Sequence, residues 1–448
     1  MARLLHSLRR VLGLTTSSTT TASAAGSLRA RSIDTDFSVF REGDRAVLQQ
    51  KQPQLTKPLK SGDKTHLRRG HVAHDKIIGS RVWDAVQAHK GPDVRLSLPT
   101  LEEYVALTPR LVTPIYSHDA NLIVSLLDIH VHPPATGETQ PPLEILESGT
   151  GHGSLTLHLA RAIHAANTTA PPRPSRSQIQ YVKNRAQKPG EDDTNKVDAN
   201  QTAGNDDTAQ IEWDSWRAER NALIHTVDVS HKFAALAERN VKGFRRGMYA
   251  GDVDFYVGPV ENWIAEQTKR RTKTGLLSSL TGSSAVDPFL SHAILDMPSA
   301  HLRIPHVAPV LRRDGYLVVF MPSITQIGDC VQIIRKQRLP FVQERVIELG
   351  LGITSGRNWD VRLAFKKSGA DPSSWAPSAE ADGEGSVLAA DAEETGSNAA
   401  HNVDEVTVPE EPVKDEEPVM VCRPKVGIRT MGGGFVGIWR RIEDPSGR

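Results

Sequence analysis

The pattern of apolar and polar positions is clearest in residues 143–162. An apolar run at 143–146 predicts a short buried β-strand. Glycines follow at 149, 151 and 153, and from Ser154 onwards apolar residues recur with the spacing of one helix face (Leu155, Leu159 and Ala162). The sequence therefore predicts a strand, a glycine-rich turn and a helix, an arrangement that often binds a nucleotide-type ligand.

The same two patterns alternate along much of the remaining chain. Short apolar runs predict strands at 223–228, 255–257, 293–295, 316–320, 342–351, 361–365 and 430–442, and helical spacing predicts helices at 122–127 and 234–241. Helices alternate with strands until the end, where strands follow one another. This order predicts an α/β fold with a mostly parallel sheet and an antiparallel final strand.

Three polar stretches without a hydrophobic period interrupt this alternation, at about 167–215, 266–288 and 368–418. Their composition predicts disordered insertions. The low overall hydrophobic content, 38% of 448 residues, agrees with a chain that is not globular throughout. We therefore predict a targeting segment at 1–35, a small β-rich domain at 36–95 with turn signals between short apolar runs, and one large domain at 96–442.

The first 35 residues have the composition of a mitochondrial targeting segment. Five arginines precede the first acid, Asp34, and an apolar helical face is followed by a Ser/Thr/Ala stretch (the arginines are Arg3, Arg9, Arg10, Arg29 and Arg31). Arg-rich, Ser-rich and acid-free amphipathic segments are typical of mitochondrial import, which predicts a location in the matrix. A merely disordered N-terminus is the alternative.

Charge and cysteine content exclude several classes of protein. The formal net charge is +1, so any nucleic-acid site must be a local patch. Two cysteines exclude a disulfide framework and a cysteine-rich zinc site, and no apolar run approaches the roughly 20 residues that span a bilayer. A basic cluster in the N-terminal domain is either a phosphate-contacting surface or a solvated face (Lys57, Lys60, Lys64, Arg68 and Arg69). The neighbouring histidines His66, His71 and His74 lack the spacing of a metal site, and we predict none.

Glu147, which precedes the glycine loop, indicates which kind of ligand the loop binds. A dinucleotide fingerprint requires G-x-G-x-x-G, but its last position is Ser154 here, and Glu147 would repel a pyrophosphate. A carboxylate at 147 suits the cationic amino-acid end of S-adenosylmethionine. Asp228 ends the second predicted strand, where an acid binds ribose hydroxyls in doubly wound folds. A glycine turn without a ligand is the alternative.

Several stretches together resemble the catalytic subunits of tRNA (adenine-58-N1)-methyltransferases. Residues 147–154 (ESGTGHGS) are similar to the family's E-S-G-T-G-S-G-S, 114–119 (PIYSHD) to its loop before the first core helix, 225–228 (HTVD) to its H-T-V-E, 295–298 (LDMP) to its L-D-[IL]-P and 359–362 (WDVR) to its [WY]-[DN]-V-R. The resemblance covers about 40–165, 220–265, 290–365 and 420–442. It implies a Rossmann-like, seven-stranded class I SAM-dependent methyltransferase core behind a small N-terminal β domain, and with the leader it suggests a fungal-type mitochondrial member.

The resemblance also implies roles for individual residues. S-adenosylmethionine would contact the glycine loop and the ends of the neighbouring strands (Glu147, Ser148, Gly149, Thr150, Gly151, His152, Gly153, Ser154, Leu155, Asp228, Pro259, Val260 and Asp296). Asp296 would orient adenine and stabilise the positive charge that develops on it, and Tyr116 would contact the flipped base or the cofactor. The alternatives are a helix N-cap for Asp296 and an ordinary core position for Tyr116.

Three positions depart from the family's pattern. Pro259 replaces an acid that contacts the adenine ring of the cofactor, residues 298–301 (PSAH) replace P-x-P-W, and residues 431–435 (MGGGF) lack the family's histidine. The implied partners are tRNA and further subunits, in a homotetramer or in a complex with a non-catalytic paralogue. Arg362 and Arg423 are candidate phosphate contacts or members of ion pairs. A methyltransferase acting on another substrate and a non-catalytic tRNA-binding subunit remain alternatives.

Overall fold

A computed structural model describes residues 33–132, 141–183, 203–274, 287–350, 359–364, 419–424 and 433–442. The predicted targeting segment, except for its last three residues, and the predicted insertion at 368–418 lie outside the described residues, as do Met431 and Gly432. The contacts divide the chain into a main unit, 1–355 with 430–448, and a second unit, 356–429.

Six short strands form the N-terminal part of the main unit. They are β1 (Val47–Gln49), β2 (Gln54–Leu55), β3 (Lys64–His66), β4 (His71–Ala73), β5 (Ala85–Val86) and β6 (Val94–Ser97). Four of them make an antiparallel sheet in the order β2-β1-β6-β5, and β3 pairs with β4 as a separate hairpin. Alternate apolar residues of these strands turn inward onto a small core that includes Phe40, Leu48, Leu59, Ile77 and Leu96.

Two helices connect this part to the central sheet. Helix α1 (Leu101–Leu107) begins with a capping box, because the Thr100 hydroxyl accepts the Glu103 N–H at 3.1 Å and the Glu103 carboxylate accepts the Thr100 N–H at 2.9 Å. Helix α2 (Ser117–Leu126) starts earlier than the apolar spacing at 122–127 predicts. Its first turn is polar and therefore carries no apolar period.

The central sheet is built from strands separated by helices. In chain order the elements are β7 (Leu143–Ser148), α3 (Ser154–Ile163), β8 (Gln180–Tyr181), α4 (Ala203–Ala218), β9 (Ala222–Asp228), α5 (His231–Gly243), β10 (Val253–Val257), α6 (Val260–Thr274), β11 (Leu290–Leu295), α7 (Ile304–Val307), β12 (Leu311–Met321), α8 (Ile324–Lys336), β13 (Phe341–Leu349) and β16 (Gly434–Arg441). The strand order is β13-β16-β12-β11-β7-β9-β10-β8.

All neighbouring pairs in this sheet are parallel except those of β16, which runs antiparallel to both β12 and β13. The predicted mostly parallel sheet with an antiparallel final strand is therefore confirmed. The order from β10 through β9 and β7 to β11 and β12 reverses direction at β7, which is the Rossmann-like arrangement. The short β8 adds an eighth strand beside β10, which the sequence analysis does not anticipate.

Both faces of the sheet are covered, which explains why its strands read as nearly continuous apolar runs. Adjacent residues on β7 face opposite sides, since Ile145 belongs to the core under α3 and α5 whereas Leu146 belongs to the core under α6, α7 and α8. Strand β12 repeats this alternation with Val318 and Val319. The two cores fix the strands in register, so their carboxyl ends meet at one edge.

The predicted disordered insertion at about 167–215 is wrong at both of its ends. Helix α4 occupies 203–218, and Trp213 and Trp216 on it are 3% and 2% exposed. The Trp216 indole donates to the Thr168 hydroxyl at 2.9 Å and packs so closely on Gly251 that an added Cβ there would lie 2.5 Å from the ring. Two large aromatic residues supply the burial that the otherwise polar composition conceals.

The predicted insertion at 266–288 is likewise wrong at its beginning, because α6 continues to Thr274. Arg271 on this last part of α6 bonds to Glu144 of β7 through both terminal nitrogens, at 3.1 and 2.7 Å. A buried carboxylate on the sheet therefore holds the polar end of the helix.

The second unit contains one described hairpin. Strand β14 (Trp359–Ala364) pairs antiparallel with β15 (Val419–Pro424), with Trp359 opposite Pro424. The prediction that a strand near 361–365 finds its partner only after the third polar stretch is confirmed. None of the helices in the described residues combines the length and apolar character needed to cross a membrane.

Candidate active site

A cavity of about 410 Å³ lies at the carboxyl edge of the sheet, where β7, β9 and β11 end. The turn after β7 forms its floor, and residues 112–115 ahead of α2 form one wall. Most of the predicted cofactor residues line it: Glu147, Ser148, Gly149, Thr150, Gly151, His152, Ser154, Leu155, Asp228, Val260 and Asp296. Three strands thus bring together residues that are up to about 150 positions apart in the sequence, as expected for a parallel sheet.

Gly149 permits the close approach of β7 to β11. Its φ is +99°, and a Cβ built on it would lie 1.8 Å from the carbonyl oxygen of Asp296. The same approach is fixed by a hydrogen bond from the Asp296 N–H to the Ser148 carbonyl at 2.8 Å. Gly149 therefore sets the position of Asp296 relative to the loop, which a larger residue cannot do without moving the backbone.

Asp228 is bonded to the glycine loop. Its Oδ2 accepts the N–H groups of Thr150 at 3.1 Å and Gly151 at 3.3 Å, and its Oδ1 accepts the Ser230 N–H at 2.8 Å. Burial raises the pKa of Asp228, and these three hydrogen bonds partly oppose the increase. The carboxylate at the end of β9 thus orders the loop and at the same time faces the cavity.

Glu147 is almost completely buried, with an exposure of 1%. Its Oε2 accepts the Thr156 hydroxyl of α3 at 2.6 Å. Burial raises the pKa of Glu147 to about 8, and the nearby carboxyls of Asp296 and Asp228 act in the same direction. Without a cation in the cavity, the protonated form of Glu147 is favoured at neutral pH.

Asp296 directly follows β11 and has a similarly perturbed acidity. Burial raises its pKa to about 7, with a further contribution from Asp228. No Lys or Arg is among the described residues that line the cavity. Three carboxyls therefore share one enclosed space without a basic partner, an arrangement that disfavours their joint ionisation unless a cation binds.

His152, which stands at the position of a serine in the E-S-G-T-G-S-G-S pattern, is 3% exposed. Its Nε2 lies 3.4 Å from the Val105 carbonyl, and among the described residues its Nδ1 has no hydrogen-bond partner. Burial lowers the pKa of His152, so the ring is neutral. Its backbone carbonyl accepts the Asn240 side-chain amide at 2.9 Å, which ties the loop to α5.

Three predicted site residues do not line the cavity. Tyr116 is the N-cap residue of α2, half-buried, with the Arg110 guanidinium 5.3 Å from its ring centroid. Gly153 lies behind the loop against Ala237, and Pro259 is bracketed by Gly258 and Val260, which do face the cavity. The side chains of Arg362 and Arg423 lie outside the described residues; only their strand positions on β14 and β15 are described.

Val229 and Phe233 are among the apolar cavity residues that sequence reasoning did not assign to the site. Val229 is 67% exposed directly after β9, and Phe233 lies in the first turn of α5. The sequence signal that could have identified them is their position shortly after Asp228. Helical spacing alone, however, assigns Phe233 to an ordinary helix face. Together they give the Asp228 side of the cavity an apolar surface that suits a flat ring.

The amino-acid sequence of the chain is similar to those of several known proteins. No protein-family model matches the chain. It is 26% identical over 304 residues to tRNA (adenine(58)-N(1))-methyltransferase TrmI of Thermus thermophilus, covering 68% of this chain and 82% of that protein. It is 30% identical over 127 residues to the tRNA (adenine(58)-N(1))-methyltransferase catalytic subunit TRM61 of Candida albicans, covering 28% of this chain and 35% of that protein.

Solved structures with a similar outline include a SAM-dependent O-methyltransferase from Thermotoga maritima, with a TM-score of 0.48, 13% identity and coverage of 91% of this chain and 96% of the other. Another is tRNA (m1A58) methyltransferase TrmI from Aquifex aeolicus, with a TM-score of 0.45, 12% identity and coverage of 90% of this chain and 99% of the other.

The strand order and the glycine loop at the carboxyl edge of the sheet define a Rossmann-like α/β fold. At the level of sequence, the chain is homologous to tRNA (adenine-58-N1)-methyltransferases, at 26–30% identity.

Proposed function

We propose that this protein transfers a methyl group from S-adenosylmethionine to N1 of adenine 58 in the T-loop of tRNA. The structural observation that carries the proposal is the cavity with three carboxyls, the buried Glu147 and Asp228 and the half-buried Asp296, and with no basic residue on its described walls. The homology to proteins named as tRNA (adenine(58)-N(1))-methyltransferases supports the choice of tRNA and of this atom.

The charge of the cavity fits a cationic cofactor. S-adenosylmethionine, when bound, supplies an electrophilic methyl group on a positively charged sulfonium. Glu147 would accept a hydrogen bond from the ammonium group at the amino-acid end of S-adenosylmethionine. The pKa of Glu147 would then fall from about 8 to below neutral pH, so that the side chain would be ionised. Asp228 has lone pairs left beyond its three backbone contacts, since a carboxylate offers about four acceptor sites, and these would bind ribose hydroxyls.

Asp296 would act on the adenine rather than as a general base. Adenine N1 has a free in-plane lone pair and no proton, so nothing must be removed before it reacts. An ionised Asp296 would accept a hydrogen bond from the N6 amino group and thereby orient N1. The same carboxylate would stabilise the positive charge that the ring gains on methylation. The half-buried position of Asp296 strengthens this interaction, because water screens it less than at the open surface.

Tyr116 belongs to the proposal as the residue that receives the flipped adenine. A base within folded RNA must leave its stack to reach an enclosed carboxyl. Tyr116 adjoins residues 112–115, which form the cavity wall, and its ring already has the Arg110 guanidinium over one face. An aromatic ring beside a cation at the entrance suits a nucleobase and its phosphate.

The test is methylation by the purified full-length chain of an unmodified tRNA transcript, followed by detection of 1-methyladenosine by mass spectrometry. A transcript with uridine at position 58 is the substrate control. We expect Asp296→Ala to lose at least about a hundredfold in rate, since electrostatic stabilisers contribute on that scale. Asp329→Ala, the same substitution at an exposed acid on α8, is the matched control. Full activity of the Asp296 variant would refute the role of this residue.

Calorimetry with S-adenosylmethionine separates the alternatives. Binding without methylation of tRNA would favour a non-catalytic subunit or a different substrate. No binding at millimolar cofactor would contradict the proposal for the cavity itself.

Two finer proposals concern location and assembly. The arginine-rich residues 1–35 direct the chain to the mitochondrial matrix, and the protein assembles as a homotetramer. A fluorescent protein fused to residues 1–35 should enter mitochondria, whereas a fusion with the five arginines changed to serine should not. Light scattering after size-exclusion chromatography should give four times the mass of the chain, and a monomer mass would contradict the assembly.

A further inference from the structure

Three histidine rings lie side by side on the surface of the N-terminal part. His66 and His71 are opposite each other in the β3–β4 hairpin, with ring centroids 6.3 Å apart. His89 stacks on His71 with centroids 4.7 Å apart and planes inclined by 14°. The stack is held by the backbone, because the His89 N–H donates to the His71 carbonyl at 2.8 Å. These are fixed rings, not three independent surface side chains.

Four cations belong to the same surface. The hairpin turn, closed by a hydrogen bond from the Leu67 N–H to the Gly70 carbonyl, carries two arginines. Gly70 presses on the His89 loop so closely that an added Cβ would lie 2.8 Å from the Lys90 nitrogen. We call the whole surface the histidine patch: Lys64, His66, Arg68, Arg69, His71, His89 and Lys90. All are exposed except His71, which is half-buried.

The charge of the histidine patch is uncompensated. Within the described part of the chain, none of its four cationic side chains lies within 4 Å of a carboxylate. Several arginines elsewhere are paired, for example Arg246 with Asp44 at 2.7 Å and Arg220 with Asp254 at 2.8 Å. The acids on the adjoining turns are used locally, since Asp63 accepts the Lys64 N–H and Asp75 bonds Ser61 and Gly62. A surface with this much unpaired positive charge favours an anion.

The groups around His71 explain how the patch responds to an anion. Burial lowers the pKa of His71, and positive charges on three neighbouring segments act in the same direction: His89 from its loop, Lys64 and His66 from β3, and Lys76 from the 3-10 helix His74–Lys76. The ring is therefore neutral in the free protein near pH 7. A phosphate placed among these groups reverses the balance and favours the imidazolium.

The chemistry of the patch favours RNA over an acidic protein segment. Three of its seven side chains are planar imidazoles and two are guanidiniums, both of which stack on nucleobases, and lysine adds phosphate contacts. Carboxylates of a peptide would use the charges but not the ring faces.

We propose that the histidine patch binds the sugar-phosphate backbone and an exposed base of the RNA substrate, and that its imidazole stack takes up a proton as the phosphate docks. This inference rests on the proposed function, because it assigns the second contact surface of the same tRNA. The patch would act in binding and leave the chemical step at Asp296 unaffected.

The test measures the affinity of the full-length protein for a labelled tRNA transcript by fluorescence anisotropy, at pH 7.5 and 6.0 and at several salt concentrations. For Arg68→Ser/Arg69→Ser we expect about tenfold weaker binding and a salt slope lower by about 2, since each phosphate contact releases close to one counterion. For His71→Ala/His89→Ala we expect the gain in affinity between pH 7.5 and 6.0 to disappear.

The matched control is Arg335→Ser/Lys336→Ser, which removes two exposed cations from the end of α8 and should leave the pH response unchanged. Melting temperatures within about 4 °C of the parent would show that the surface variants fold. In methylation assays the patch variants should raise KM for tRNA and keep kcat.

Wild-type tRNA affinity and pH response in both patch variants would overturn the inference, even if the protein methylates tRNA normally. Binding that depends on the patch, in a protein that methylates no tRNA, would support the patch and refute the proposed function. The inference would also be overturned if the patch variants lost affinity for an acidic peptide but kept wild-type affinity for tRNA. That result would indicate a protein partner.

Discussion

Gly149→Ala tests the contact that positions Asp296. Alanine introduces a Cβ 1.8 Å from the Asp296 carbonyl oxygen, and the φ of +99° at this position disfavours any side chain. The neighbour is backbone, so no rotamer change relieves the overlap. The backbone must separate, which breaks the 2.8 Å hydrogen bond from the Asp296 N–H to the Ser148 carbonyl.

The cost follows from these two effects. The left-handed conformation costs a non-glycine residue about 1–2 kcal/mol. Loss of a buried backbone hydrogen bond that leaves its partners unsatisfied adds about 1–3 kcal/mol. We expect Gly149→Ala to lower the free energy of unfolding by about 2–5 kcal/mol, measured by urea denaturation, and to abolish cofactor binding in calorimetry.

Gly151→Ala is the matched control. Its φ is also positive, at +55°, but an added Cβ would lie 3.6 Å from Val112 Cγ2, which is an ordinary contact. Only the conformational cost of about 1–2 kcal/mol should appear. Equal losses for the two variants would refute the reasoning, because the approach of β11 would then contribute nothing.

Three further predictions concern other parts of the main unit. The pKa of Asp296 is about 7 in the folded protein and close to 4 when unfolded, so the folded state binds more protons between these values. The free energy of unfolding therefore falls as pH rises from about 4 to 7. In Asp296→Asn this fall should be smaller by on the order of 2 kcal/mol, measured by urea denaturation at pH 5 and 8. An unchanged pH profile would contradict the assigned burial. Arg220→Met should cost about 3 kcal/mol, because Arg220 binds the buried Asp254 through both terminal nitrogens at 3.0 and 2.8 Å; a loss below about 0.5 kcal/mol would argue against that pair. Trp216→Ala should cost about 3–5 kcal/mol and raise hydrogen exchange across 203–218 first, and uniform protection there would count against its anchoring role.

The central part of the fold could be predicted because its signals are local and repeated. The apolar run at 143–146, three alternate glycines and a helical period determine a strand, turn and helix without reference to the rest of the chain. Once the strands are parallel, Asp228 and Asp296 must lie at one edge with Glu147, since each ends a strand. The location of three site carboxyls therefore followed from topology alone.

The elements that escaped prediction depend on contacts between distant residues. Helix α4 has a polar composition, and its order comes from Trp213 and Trp216 packing on a surface that includes Gly251. Strand β8 has two residues, too few for any period. The position of Tyr116 outside the cavity lining follows from its place as the N-cap residue of α2, which starts five residues before its apolar pattern begins. Composition describes none of these contacts.

The two-residue strand β8 has a consequence for how the chain tolerates deletion. Gln180 and Tyr181 pair with Tyr256 and Val257, and the next residue, Val182, donates its N–H to the Val257 carbonyl at 2.9 Å. Strand β8 pairs with backbone hydrogen-bonding groups of β10 that would otherwise be open to another molecule. Removal of 167–215 would leave this edge of β10 unpaired and favour intermolecular strand pairing, whereas a deletion confined to 184–202 retains β8.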